Sequence, residues 1–247
     1  MNEHYNLTVQ MKKLTGFLFL FSFLYTVGQP VDSTNMKLSE TSGIAASLYF
    51  TSQAETLAIH NGRIFYGYPG MIGHAFYPEP IMQNGSLLYD GTWYHNVSLI
   101  YDVFKDEVIT LHPNSSLIRL FSERVQQFYF QGQKFVHLSP DKDHVIKSGF
   151  YQRLVEGAVI IFAWRLKIIE EKIVDVKLER KFIFSTQYYV LKDGSYHVIN
   201  KQKPLLELLK DSKQSIVQHL KTQKLKFKTD KEKTIVQIAE FYNQSHK

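Results

Sequence analysis

The sequence contains no cysteine. That excludes disulfides, a thiol nucleophile, cysteine-ligated metal and a lipidated N-terminal cysteine. The common catalytic signatures are missing as well. There is no Gly-x-Ser-x-Gly elbow, no P-loop, no dinucleotide-binding glycine pattern and no His-Glu-x-x-His helix. The glycine-rich stretch Gly67-Tyr68-Pro69-Gly70 with Gly73 is followed by no phosphate-binding lysine and no helical pattern, so it is expected to form a mobile loop beside other structure. The ten histidines show no metal-ligand spacing. His60, His74 and His95 would have to converge through the fold to make a zinc site, and scattered surface positions are expected instead. No cofactor is implied.

Long apolar runs are scarce too. The most apolar one, Leu14 to Tyr25, falls short of the about 20 residues that span a bilayer as a helix. It follows Met11-Lys12-Lys13 and ends at Thr26-Val27-Gly28. A positive n-region, a short apolar core and a small terminal residue match a secretory signal peptide, with cleavage expected after Gly28 and an uncleaved N-terminal anchor as the alternative. The ten residues before Met11 form an upstream extension without targeting logic. The expected location is therefore outside the cytoplasm, in a periplasm or at the cell exterior. Without cysteine, a bacterial envelope suits the chain better than an animal secretory route.

What remains is well supplied for folding. Hydrophobic residues make up 44% and aromatic ones 14% of the sequence, enough to build a core and to exclude general disorder. The net charge of +6 is unevenly placed. From Gln29 to Asn200 there are 16 Lys/Arg against 17 Asp/Glu, whereas from Lys201 onward 11 lysines face 5 acids. The basic character thus belongs to the C-terminal segment. Lysines there either face water from amphipathic helices or make peripheral contact with anionic lipid headgroups. Nucleic acid is not an expected partner, because an exported chain does not meet it and Phe227 alone interrupts the lysines.

The pattern divides the chain into four parts: the signal with its extension (1–28), a Ser/Thr-rich linker with a first strand near Ile44 to Phe50 (29–55), a β domain (56–200) and a basic helical segment (201–247). Turn dipeptides punctuate the β domain at Asn61-Gly62, Asn84-Gly85, Asp90-Gly91, Lys105-Asp106, Gln131-Gly132 and Asp193-Gly194, between β-branched and aromatic runs. Val97, Leu99, Tyr101 and Val103 alternate onto one face. Ile160, Phe162, Trp164, Leu166 and Ile168 alternate onto another, opposite Arg165 and Lys167. After Asn200 the period lengthens. Pro204 suits a first helical turn. Apolar stripes follow at Leu205, Leu208 and Leu209, at Ile216, Val217 and Leu220, and at Ile235, Ile238, Ala239 and Tyr242. Thr229 and Glu232 have capping-box spacing. The fold class expected is α+β: a curled, half-barrel-like antiparallel meander followed by two or three C-terminal helices packed on the sheet.

Candidate functional residues are mainly aromatic. Tyr89, Trp93, Tyr94 and Tyr101 fall in one hairpin, and Trp164, Tyr188 and Tyr189 follow. Tyr and Trp combine contact area with a polar handle. Tyr89, Trp93, Tyr94 and Trp164 are the ligand-binding candidates, with Trp93, just past a turn, the one expected to be exposed. No residue is assigned a catalytic or metal-binding role. The carboxylates Asp90, Asp102, Asp106 and Glu107 could supply an acid/base pair for a hydrolase, but three of them sit at turn positions that favour Asp for backbone reasons.

Four stretches, "NGRIFYGYPGMIGHAFY", "SLLYDGTWYHNVSLIYDVFKDEVI", "GFYQRLVEG" and "KTDKEKTIVQIAEFYN", resemble an uncharacterised family of secreted Bacteroidota proteins. The shared features are a YDG-x-x-Y-x-NV-x-L-x-YD hairpin and a C-terminal helix ending in Tyr-Asn. The resemblance spans nearly all of the chain after the signal. It implies a Gram-negative envelope and carries no assigned activity. A looser similarity is to periplasmic lipoprotein-carrier half-barrels, whose concave sheet is plugged by helices. The expected function is a non-enzymatic binding or accessory module for another envelope component. The alternatives are a carrier or sensor of a lipid-like ligand, with a cavity lined by Phe162, Trp164, Phe182 and Phe184, and a carboxylate-dependent hydrolase.

Overall fold

A computed structural model describes residues 58–246. The expected signal segment, the expected linker and the strand expected over 44–50 lie outside the described residues. The strands are β1 (Arg63–Ile64), β2 (Phe76–Tyr77), β3 (Gln83–Tyr89), β4 (Thr92–Asp102), β5 (Glu107–Leu111), β6 (Leu117–Arg119), β7 (Val125–Phe130), β8 (Gln133–Leu138), β9 (Gly149–Val155), β10 (Ile160–Val174), β11 (Lys177–Lys192) and β12 (Ser195–Val198). Three helices follow: α1 (Gln202–Leu208), α2 (Lys213–Thr222) and α3 (Lys231–Ser245). All twelve strands belong to one antiparallel sheet, ordered β1-β6-β5-β4-β3-β7-β8-β9-β10-β11-β12, with β2 added to β4. The sheet is open, as the half-barrel expectation required. One backbone bond, from the Lys167 N–H to the Val103 carbonyl (3.3 Å), ties β10 to the end of β4.

Turn chemistry explains much of this order. Asp90-Gly91, Gln131-Gly132 and Asp193-Gly194 have positive φ at both residues (50° and 77°, 52° and 70°, 49° and 77°), the backbone of two-residue hairpins whose twist matches the strands. Two expected turns are not turns. Asn84-Gly85 lies within β3, where a register shift falls between Gly85 and Ser86. A Cβ on Gly85 would stand 2.2 Å from the Tyr129 carbonyl, so the glycine serves close strand approach. Asn61-Gly62 does not close a hairpin either. β1 pairs with β6 through Arg63 and Arg119, and a Cβ on Gly62 would lie 2.5 Å from the Arg119 carbonyl.

The inner face of the sheet is one surface with two fillings. Its first half holds Leu87, Leu99, Tyr101, Phe128, Phe130, Phe135 and Phe150. Its second half, on β9 to β11, carries Val155, Ile161, Ala163, Tyr188 and Val190, which the helices cover with Leu205, Leu209, Ile216, Leu220, Ile235, Ile238 and Ala239. The helical stripes therefore bury as their spacing demands. Each such Ile or Leu contributes about 1.5–3 kcal/mol by leaving water. On the outer face Val136, Tyr151, Phe162 and Tyr189 form a smaller cluster, capped by Ile146 from the connection between β8 and β9.

Between the two inner halves runs a polar seam. Arg165, expected on a wet face, is only 5% exposed. Its Nε donates to Gln152 Oε1 (2.7 Å), and its two terminal nitrogens donate to Glu232 Oε2 and Oε1 (2.6 and 2.9 Å). The guanidinium also lies over the Tyr77 ring, 5.1 Å from its centre, and the Tyr188 hydroxyl donates to Glu232 (2.8 Å). This corrects two expectations at once. The helices cover the Arg165 face, so its charge must be paired there. Glu232 is drawn to that charge, and the capping box is not made: Asp230 is the N-cap of α3, without a side-chain cap bond.

Asn243, in the last turn of α3, clamps the β9–β10 connection. Its Oδ1 accepts from the Val159 N–H (2.8 Å), and its Nδ2 donates to the carbonyls of Val159 (2.9 Å) and Glu156 (3.2 Å). Gly157 in that loop has φ 151°, and any Cβ there would meet the Asn243 side chain at 2.5 Å. The Tyr-Asn ending of the helix is thus structural, since Tyr242 is also buried and donates to Asp211 (3.0 Å).

Candidate functional site

Strand alternation sorts the candidate aromatics between inside and outside. Tyr89 and Tyr94 point inward into the ring-filled half; Tyr89 is fully buried and Tyr94 is 9% exposed. Tyr89 is held under Arg124, whose guanidinium sits 4.7 Å from the ring centre and forks onto Asp90 through Nε (2.8 and 3.0 Å) and Nη2. The Tyr-Asp-Gly signature is therefore a turn and its anchor. Trp93 alternates the other way and is 41% exposed.

Around Trp93 the outer face forms a flat platform. Cross-strand pairing aligns Trp93, Leu88, Gln127 and Val136 in one row, and His95, Ser86, Tyr129 and Lys134 in the next. The His95 ring lies parallel to the Trp93 indole (5.9 Å, 9°), and Tyr129 flanks it at 5.9 Å. Ser86 Oγ is 3.0 Å from His95 Nδ1, and the Lys134 ammonium lies 5.5 Å from the Tyr129 ring centre. An indole face bordered by imidazole, phenol and ammonium suits a flat ligand group with polar edges.

Trp164 lies on the same face. The Trp93 row continues from Val136 to Tyr151, and Trp164 stacks on Tyr151 (6.0 Å, 27°) with Lys147 over its ring at 5.8 Å. Four strands, β3, β7, β8 and β9, lie between the strands of the two tryptophans. The four residues expected to line one lipid cavity are split. Phe162 and Trp164 belong to the outer face, whereas Phe182 and Phe184 lie on the inner one, in register with Ile169 and Lys167. Phe182 packs edge-on to Tyr68 and Phe104, and Phe184 stacks on Tyr77.

The candidate carboxylates serve structure: Asp90 anchors the β3–β4 turn, Glu107 pairs with Arg119 (3.4 Å), and Asp102 and Asp106 are taken up by the β4–β5 turn. Asp102 is fully buried; its Oδ1 accepts from the N–H groups of Phe104 (2.9 Å) and Lys105 (3.1 Å), and its Oδ2 accepts the Tyr68 hydroxyl. Asp106 accepts the Tyr101 hydroxyl on one oxygen and the Phe150 N–H (3.0 Å) on the other. Burial pushes the Asp106 carboxyl up to about 6, against the pull of those two donors, and burial raises Asp102 as well. A Cβ on Gly149 would come within 2.4 Å of Asp106 Oδ2, so that glycine makes room for the carboxylate. Tyr68 comes from the glycine-rich loop, which is fastened at both Asp102 and Ile72; Ile72 donates to the Arg180 carbonyl (2.8 Å) and accepts from Phe182 N–H (3.1 Å). Sequence reasoning missed these roles because Asp after a strand carries the same signal whether its side chain faces water or core.

The three histidines of the metal question sit apart: His60 against His112, His74 against Lys167 and His95 against Trp93. Among the described residues no group of three or more His, Asp or Glu side chains is placed to hold a metal ion. The tail lysines Lys221, Lys224, Lys226 and Lys228 are exposed around the α2–α3 connection. No helix among the described residues is long and apolar enough to cross a membrane. No protein-family model, curated protein or solved structure matches the chain.

Proposed function

We propose that this chain is an exported, non-enzymatic binding or accessory module of a bacterial envelope, and that Trp93 is the centre of its docking surface. One observation carries this reading: an indole held 41% exposed between His95 and Tyr129, on strands whose other large aromatics are turned inward. An exposed, rigidly flanked tryptophan gives a large contact area at small conformational cost. Capture from a solubilised envelope extract tests it. The immobilised chain retains a partner, and Trp93→Ala releases that partner while the melting temperature stays put. Equal retention by both forms sinks the assignment. The location is tested separately by N-terminal sequencing of native material, expected to begin at Gln29.

A carrier of a lipid-like ligand is the second reading. Its support is a groove of about 420 Å³ beside the edge strand β12 and α1, lined by Val145, Val190, Val198, Pro204, Leu205 and Leu208. That volume falls within the range of small-molecule sites. Native mass spectrometry that finds no co-purified lipid would count against it. The exposed lysines near the α2–α3 connection would favour anionic headgroups in either reading.

A further inference from the structure

The long hairpin β10–β11 outruns its neighbours. β9 pairs with β10 only at residues from Ile161 to Ala163, and β12 pairs with β11 only from Tyr189 to Lys192. The rest of the hairpin, paired out to Val174 and Lys177, is a two-stranded ribbon. Such a ribbon is marginal in water by itself. It nonetheless exposes Ile168, Ile169, Ile173, Val174, Val176 and Leu178, the last three at 41%, 97% and 54%.

Its two edges differ. On β11 the outward groups of Arg180 and Phe182 are occupied by Ile72. On β10 the Lys167 N–H points outward, to Val103. The two-residue period then aims the backbone groups of Ile169, Glu171 and Ile173 the same way. Among the described residues none of these three has a backbone partner on that side.

The free stretch, Ile168-Ile169-Glu170-Glu171-Lys172-Ile173-Val174, is self-complementary about Glu171. We propose that this edge of β10 pairs, antiparallel, with the same edge of a second copy, joining two ribbons into a four-stranded intermolecular sheet on a two-fold axis at Glu171. In that register Ile169 and Ile173 face each other as hydrogen-bonded pairs, and Glu171 faces its own copy. Residues on β11 extend the match. Lys181 stands opposite Glu170 and Glu179 opposite Lys172, so one face presents the row Lys181, Glu170, Lys172 and Glu179 across the junction, alternating in sign. The other face presents Phe182, Ile169, Ile173 and Leu178, all apolar. The central glutamates are each already paired with Arg180 at 2.9 Å. Sliding by two residues sets Glu171 against an isoleucine and Glu170 against Glu170, or Lys172 against Lys172, so both Glu170–Lys172 pairs across the junction are lost. Charge complementarity thus selects the partner, a second copy, and the register together.

The purified chain is expected to sediment as a concentration-dependent dimer. Lys172→Glu places Glu170 against a second glutamate at both symmetric positions and should weaken the dimer about tenfold or more. Since the chain lacks cysteine, Glu171→Cys reports the register directly. Facing Cα atoms in a hydrogen-bonded antiparallel pair lie about 5.5 Å apart, within disulfide reach, so mild oxidation should cross-link this variant and leave Lys172→Cys largely unlinked. Circular dichroism on each variant separates loss of pairing from loss of fold. A wild-type chain that stays monomeric at every concentration, or Lys172→Cys cross-linking as readily as Glu171→Cys, would overturn the proposal.

Discussion

The two halves of the inner face solve the same problem with different side chains. Under the helices the buried set is aliphatic but for Tyr188 and Tyr242. Across β3, β4, β7, β8 and β9 most of it is rings, with Phe128 and Phe135 stacked at 4.8 Å and Tyr101 edge-on to both. Helices bring side chains at a 3.6-residue period that interleave with β-branched strand residues, so small volumes fill the gap. Where no helix arrives, the strands must fill the space themselves, and rings reach furthest.

The contrast can be broken most forcefully in the ring-filled half. Phe128→Ala removes the ring that touches Tyr101, Phe130, Phe135 and Phe150, and no helix can settle into the hole. A loss of about 3–5 kcal/mol is expected by urea denaturation. Ile238→Val, on the helical side, should cost only about 0.5–1.5 kcal/mol.

The same half carries a pH signature. Asp106 binds its proton more tightly folded, at about 6, than at its ordinary value of 3.8. A carboxyl raised on folding contributes stability below its unfolded pKa and loses it as pH rises through the folded one. The wild type should therefore lose on the order of 3 kcal/mol from this group between about pH 4 and pH 7. Asp106→Asn should remove that component, so the stability gap between the two proteins narrows as pH rises. A constant gap in melts at both pH values would refute the assignment.

The seam gives a smaller effect. Glu232→Ala strands the buried Arg165 charge, yet Glu232 is 38% exposed and water can enter. About 2 kcal/mol is expected, less than the full cost of breaking a buried pair, and α3 should show faster amide exchange. Trp93→Ala should change stability by no more than about 0.5 kcal/mol. A larger loss would mean that the indole packs rather than binds.

Much of the fold was legible in the sequence where one physical signal acts alone. The period-two run from Val97 to Val103 and the stripe from Ile235 to Tyr242 bury as their spacing requires. Legibility failed where two constraints compete. Asn84-Gly85 has turn chemistry, but the glycine is needed for close strand approach. The hairpin at Asp175-Val176 has turn geometry (φ 46° and 67°) without a glycine to announce it. Arg165 is polar at a position that tertiary packing buries, and its partner lies 67 residues away. Of the candidate site, the exposure of Trp93 was readable from the preceding turn alone, since strict alternation from Val97, Leu99 and Tyr101 would turn it inward. Tyr94 points inward because the bulge at Asn96 (φ 56°) reverses the phase of β4, a break that no glycine announces.

The guanidinium at the seam acts as a bulkhead. An acyl chain slipping beneath the helices from the Leu208 side would have to unseat Arg165 from Gln152 and Glu232 before it could touch Phe135. The interior is two packed clusters with a charged wall between them.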